Sequence, residues 1–433
     1  MQLLSSRGGT EPGAPTMVLQ HREALIYTLA KAAQLEQLVM CQYLYAAFAL
    51  KDRDDDGLTP PQLEATRRWR RELIHIAEQE MLHLALVQNI LTAVGASPAL
   101  GRPNFPLPPH AYPAGIRMDL LPFDEASLRH FIYLERPDGL DMADQDALSA
   151  VEKAAPLPPA TEDDIAPRLQ DFETISELYR AIELGLDRLA ERLGEDRLFL
   201  GPAAAQATPR HFRFSELLPV TDLRSAHAAI DTIVEQGEGA RGEWRDAHFG
   251  RLVTVLDELL DLRDADPGFQ PSRPVLAVAV RDREDGAPVP IIDDPFTSRS
   301  VDLLNAVYEV ILQVLARYFA HTDETDDQLD VLARVAMGLM RDVVKPLGGL
   351  VTRLPVGPEH PGRTAGPMFE LFYNVDYLLP HRDAAWAVME ERMRVLAELA
   401  LRCREVCAPL YLPIVAKVSD ALIDLADRLA EGR

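Results

Sequence analysis

The stretch that decides the reading is RELIHIAEQEMLHLALVQNIL, Arg71 to Leu91. Leu73, Ile76, Ala77, Leu84, Val87 and Leu91 recur at helical spacing and mark the buried stripe of a long amphipathic helix. Glu80 stands inside that stripe, one turn from Ile76 and one turn from Leu84, and His83 follows three residues later. A buried carboxylate costs several kcal/mol, on the order of a whole side chain's hydrophobic gain, unless it is paired or bound to a cation. Glu-x-x-His puts an acid and an imidazole on adjacent turns of one face. A divalent metal coordinated by both would remove the penalty; the bland reading is an exposed, solvated pair.

Working outward, most of the 433 residues read as helix. A first helix spans about 22–50 and is apolar nearly all round, interrupted by Glu36 and Gln37. Glu36 shares a face with Ala32, Val39, Met40 and Tyr43. The second spans about 59–94, begun by Thr59-Pro60-Pro61 and stopped by Gly95. The texture then changes to a Pro-rich crossover of about 95–170. Within it LRHFIYLERPDGL (128–140) reads equally as a short strand or a short helix. A third helix runs from about 172 to 193 and a fourth from about 223 to 238, with a further one starting near Ala247. Two long helices, a long crossover and two more helices is the connectivity of a ferritin-like four-helix bundle. The expected organisation is a flexible tail (1–17), a metal-binding bundle (18–265) and a C-terminal helical domain (266–433) introduced by the β-prone run PVLAVAV. The fold class is all-α.

In the third helix the apolar face centres on Ile175, Tyr179, Ile182 and Leu186. At 100° per residue Glu183 lies at its edge and Glu177 opposite, so Glu183 is the candidate. In the fourth, Glu235 and Glu238 both remain candidates, and His248 follows after a Gly-rich break. Arg241 stands where a second Glu-x-x-His would place its histidine. His227 reads as a surface or satisfied core histidine. A di-iron or di-manganese carboxylate site takes a Glu from each of two helices and Glu-x-x-His from each of two others. Glu36, Glu80, His83, Glu183, Glu235, Glu238 and His248 are the candidate ligands. Carboxylates and imidazoles without thiolates suit iron first and manganese second.

Composition excludes other classes. Hydrophobic residues make 47% and charged residues 26%, ordinary for a globular protein. A net charge of −24 argues against nucleic acid and anionic membranes as partners. Cys41, Cys403 and Cys407 make neither a disulfide framework nor a zinc pattern. No apolar run is long enough to span a bilayer, and the N-terminal stretch lacks the apolar core of a signal peptide. The expected setting is cytoplasmic and reducing. No nucleophile elbow and no phosphate-binding glycine loop is present.

EQLVMCQYLYA, EQEMLHLALVQNIL, YRAIELGL and AIDTIVEQGEG, with HF beyond the break, look like the ferritin-like family. That family includes the ferritin-like domain of the iminophenylpyruvate dimer synthases of violacein-type bisindole pathways. PVGPEHPGRTAGPMFELF (355–372) resembles the C-terminal helical part of that group. The resemblance covers about 18–406. It implies a non-haem dinuclear metal site and oxidative chemistry with O2 on a small, amino-acid-derived imine. Tyr43 and Tyr45 would lie near such a site as electron or proton donors, or as core aromatics. The alternatives are a ferroxidase or iron-handling protein and a non-catalytic helical protein. The C-terminal helices are expected to cap the bundle or to make a homodimer interface.

Overall fold

The computed structural model describes residues 17–107, 111–112, 118–138, 140, 157, 159–161, 163–239, 244–277, 292–373 and 381–433. Residues 1–16, Arg241 and the last three residues of the β-prone run (278–280) lie outside the described residues. No strand occurs among the described residues; Val275 makes only an isolated bridge to Thr364.

The helices are α1 (Arg22–Ala49), α2 (Pro60–Ala93), α3 (Glu125–Leu134), α4 (Ile175–Leu193), α5 (Glu195–Leu198), α6 (Pro209–Phe212), α7 (Leu223–Gly237), α8 (His248–Ala265), α9 (Pro295–Phe319), α10 (Asp326–Gly338), α11 (Lys345–Val351), α12 (Arg382–Arg402) and α13 (Leu412–Gly432). A π-helical turn, Leu339–Val344, joins α10 to α11. None of these helices is long and apolar enough to cross a membrane.

The sequence explains the ends of α2. Thr59 and Gln62 form a reciprocal capping box, with prolines in the first turn. At the other end Gly95 adopts φ +81°, a left-handed conformation that glycine takes without steric cost. The Gly95 and Ala96 amides then satisfy the carbonyls of Thr92 and Leu91.

α1 and α2 pack along their lengths in opposite directions, since Arg22 at the start of α1 donates to the Val94 carbonyl past the end of α2. α4 packs on α1, α7 packs on α2, and α4 packs on α7, which closes a four-helix bundle across the crossover. The segment left open between strand and helix is α3, capped by Asp124 through the Ser127 amide and packed against α8.

α1 is apolar all round because it is covered all round. Cys41 meets Tyr308 of α9, and the Phe48 ring is packed so closely on Gly348 that a Cβ there would sit 2.7 Å from it. One buried apolar cluster therefore runs from Leu25 through Leu304 to Leu429. α9 lies at the centre of the C-terminal helices, in contact with α10, α11 and α12.

Candidate metal centre

The acid that interrupts the α2 stripe points into the bundle. Glu80 is 2% exposed and His83 is 2% exposed, with Glu36 of α1 beside them at 4%. His83 Nδ1 lies 2.9 Å from Glu80 Oε2 and 3.5 Å from Glu36 Oε2. On the other side of Glu80, Oε1 lies 3.0 Å from Nδ1 of His248, the first residue of α8. That nitrogen is 3.7 Å from Oε2 of Glu135, which caps the end of α3. Two buried groups result, Glu36–Glu80–His83 and Glu80–Glu135–His248, each with its ligating atoms within 4.8 Å of one another. Glu80 belongs to both, with one oxygen facing each.

The two halves repeat the same pattern. The second oxygen of Glu36 accepts the Tyr179 hydroxyl from α4, and the second oxygen of Glu135 accepts the Tyr43 hydroxyl from α1. Each outer carboxylate thus offers one oxygen to a phenol and one to the space shared with a histidine. His83 is further held by Gln236 of α7, 3.1 Å from Nε2. With Nε2–H donated to that amide oxygen, Nδ1 carries the lone pair toward the carboxylates, the orientation a metal-ligating imidazole needs.

The charges do not balance internally. Three carboxylates face two imidazoles, and no Lys or Arg among the described residues pairs with any of them. Burial pushes the Glu36 carboxyl up. Burial also opposes ionisation of Glu80, but the neighbouring charges of His83 and His248 overcome it and hold its carboxyl down. Both imidazoles are correspondingly raised against the cost of burial, with Glu80 the strongest contributor. With all three carboxylates ionised and both rings protonated, one negative charge is left over, and burial of Glu36 favours a proton there unless a cation takes its place. Neither nitrogen of His248, fully buried, makes a hydrogen bond, although Nδ1 is at hydrogen-bond distance from Glu80. An acid-rich, nitrogen-containing donor set with orphaned lone pairs fits hard or borderline divalent cations such as iron and manganese.

Of the residues singled out from sequence, Glu36, Glu80, His83 and His248 come together. Glu183 does not: it is partly exposed on α4 and faces His227, 3.9 Å away, whose other nitrogen is 2.9 Å from Asp187. α4 turns Tyr179, not Glu183, toward Glu36. Glu235 is exposed on α7. Glu238 caps α7 outside both groups, with Oε2 3.3 Å from the Asp138 amide. Burial and the nearby Glu135 raise its carboxyl to about 7. Tyr43 joins the cluster, whereas Tyr45 donates to the Leu276 carbonyl.

Glu135, Gln236 and Tyr179 were not among the sequence candidates. A signal for Glu135 existed: it continues the stripe of Leu128, Phe131 and Ile132 by one helical turn.

Residues 29–257 match the profile of the family described as ferritin-like. A dichlorochromopyrrolate synthase from Lentzea aerocolonigenes is 30% identical over 91% of this chain and 40% of its own length. A 2-imino-3-(indol-3-yl)propanoate dimerase from Chromobacterium violaceum is 29% identical over 82% of this chain and 34% of its own length. The chain therefore spans 40% and 34% of the two relatives. A solved ferritin-like protein from Caulobacter vibrioides aligns with a TM-score of 0.41 and 20% identity, covering 72% of this chain and 94% of that one.

Proposed function

The chain belongs to the ferritin-like family, and from that premise we propose that Glu36, Glu80, His83, Glu135 and His248 would hold two metal ions, with Glu80 offering one oxygen to each group. The protein is then a metal-dependent oxidase of a small aromatic 2-imino carboxylate. The observation that carries this reading is the repeated pattern on either side of Glu80: one outer carboxylate, one imidazole and one phenol in each half.

Iron, or manganese in its place, would supply a redox couple able to pass electrons from the organic substrate to O2. The protein's part is positioning and exclusion. Tyr179 and Tyr43 fix the outer carboxylates so that one oxygen of each faces the cluster. Gln236 fixes the His83 ring. The apolar residues of α1 and α2 around the five ligands keep water away and strengthen every charge interaction there. Each half would offer three protein ligands to an ion, one of them shared. The substrate class is proposed by analogy with the second relative, a 2-imino-3-(indol-3-yl)propanoate dimerase.

The test is metal content after reconstitution with Fe(II) and, separately, Mn(II). The expected result is about two ions per chain, close to none in Glu80→Ala, and about one in His248→Ala. Absence of bound metal in the parent would overturn the reading.

A further inference from the structure

The Pro-rich crossover buries a positive charge that the cluster does not use. Arg102 is 6% exposed, with its guanidinium 5.1 Å from the Phe105 ring centre and 5.3 Å from that of Tyr308. Nη1 donates to the Pro103 carbonyl at 3.0 Å and Nη2 to the Phe369 carbonyl. Nε has no acceptor, and no carboxylate among the described residues pairs with this guanidinium. Arginine cannot shed its proton to escape the cost of burial. Its remaining neighbours are the Cys41 thiol and the Tyr308 hydroxyl, 3.6 Å from each other. Burial pushes both up, so both are neutral.

Three further observations surround this charge. Phe369, whose carbonyl Arg102 holds, has φ +51°, a strained conformation for a bulky residue. The Tyr112 hydroxyl is buried without a partner and lies within electrostatic reach of both Glu36 and Arg102. Gln37, next to Glu36, donates to the Leu100 carbonyl at 3.2 Å, two residues before Arg102, and its Oε1 is left unpartnered. An uncommitted cationic N–H on Arg102 and an uncommitted hydroxyl on Tyr112 thus lie within electrostatic reach of each other, and Glu36 is also within reach of Tyr112. The uncommitted acceptor of Gln37 is on the residue after Glu36.

We propose that Arg102 and Tyr112 bind the carboxylate of the organic substrate, and that Gln37 Oε1 accepts a hydrogen from the imine or amine nitrogen next to it. This rests on the reading of the cluster as an oxidase site for a 2-imino carboxylate and goes beyond it by assigning the residues that recognise the anion. The ligand supplies the charge that Arg102 lacks.

The experiment is equilibrium binding to the metal-free full chain. The probes are L-tryptophan and 2-oxo-3-(indol-3-yl)propanoate, with 3-methylindole as the neutral ring. Both carboxylates bind the parent more tightly than 3-methylindole, and tryptophan, which keeps the nitrogen donor, binds more tightly than the oxo acid. Arg102→Met weakens the carboxylates by roughly 10- to 100-fold, the worth of a hydrogen bond to a charged group, and leaves 3-methylindole unchanged. Arg102→Lys recovers part of the loss, and Tyr112→Phe loses several-fold. Unchanged carboxylate affinity in Arg102→Met overturns the proposal, as does a parent that binds 3-methylindole equally well. Should Arg102→Met fail to fold, unchanged affinity in both Arg102→Lys and Tyr112→Phe overturns it. Metal loading of the same variants separates the two readings. Normal loading with unaltered carboxylate binding removes the subsite alone. Carboxylate binding that depends on Arg102 in a protein that loads no metal removes the oxidase reading and keeps the subsite.

Discussion

Glu324, just beyond α9, and Glu80, in the middle of α2, are both carboxylates enclosed by helices, and they are neutralised in opposite ways. Glu324 accepts from Arg317 Nε at 2.5 Å and Nη2 at 2.7 Å, from the Trp386 indole at 3.1 Å and from the Thr322 amide at 3.0 Å. Burial opposes its ionisation, but these donors lower its carboxyl to about 2. The C-terminal pair is complete within the chain: one fixed cation, one anion and donors for both carboxylate oxygens. The cluster around Glu80 has three acids, two imidazoles whose charge is conditional, and orphaned nitrogens. A structural ion pair closes its own hydrogen bonds; a site for an exogenous cation leaves them open.

Removing one partner from each region breaks this contrast if it is false. Glu324→Gln strands the Arg317 charge in the interior and is expected to cost about 3–5 kcal/mol in denaturant unfolding. Glu80→Gln in the metal-free protein is expected to stay within about 1 kcal/mol of the parent, because His83 and His248 can release their protons whereas Arg317 cannot. With metal present the order changes for Glu80 alone. The parent gains about 2.7 kcal/mol at a hundredfold excess over Kd, and the Glu80 variant gains nothing. Equal losses at both positions would make the N-terminal cluster an ordinary structural network.

A smaller effect sharpens the comparison within the cluster. Tyr179→Phe frees one oxygen of Glu36, and Tyr43→Phe does the same for Glu135. Loss of such a supporting hydrogen bond typically weakens a metal site by roughly 10- to 100-fold. Each variant should weaken one ion and spare the other in a titration followed by metal content. Loss of both ions in either variant would argue against two halves that act separately.

The last test is a pH dependence. The folded-state value of Glu324 lies below its ordinary 4.5. Its contribution is therefore fully present above about 4.5 and is lost as pH falls toward about 2. Denaturant midpoints of parent and Glu324→Gln should converge over that interval. A constant difference across it would mean that the Arg317 pair is not what holds the carboxyl down.

The same contrast explains how much was legible in the sequence. The bundle was readable because its evidence is periodic: a full stripe on α2, an apolar circumference on α1, a Pro-rich interval and two more stripes. Glu80 and Glu36 stood out as acids inside those patterns. Glu183 was chosen because a helical wheel places the apolar centroid and not the helix's rotation against its neighbours; α4 spends its inward position on Tyr179. Glu135 lies in a crossover segment, 128–140, that reads equally as strand or helix, so its place on an apolar helical stripe is not legible from the sequence. His248 was found in sequence as a residue beyond a break, and the break is what lets α8 start beside Glu80 with its first side chain. Arg102 gave no local signal: its oddity is a missing partner, which only the packed chain displays.

The split of ligands along the chain fixes an order of assembly during synthesis. Glu36, Glu80 and His83 lie on α1 and α2, which are translated before the crossover and α8. The other half needs Glu135 from the crossover and His248 from α8. A nascent chain can bring Glu36, Glu80 and His83 together before the crossover and α8 are made, and the second group waits for α8 to dock. An ion held by the first group would fix Glu80 in the orientation that presents its free oxygen to the helices still to arrive.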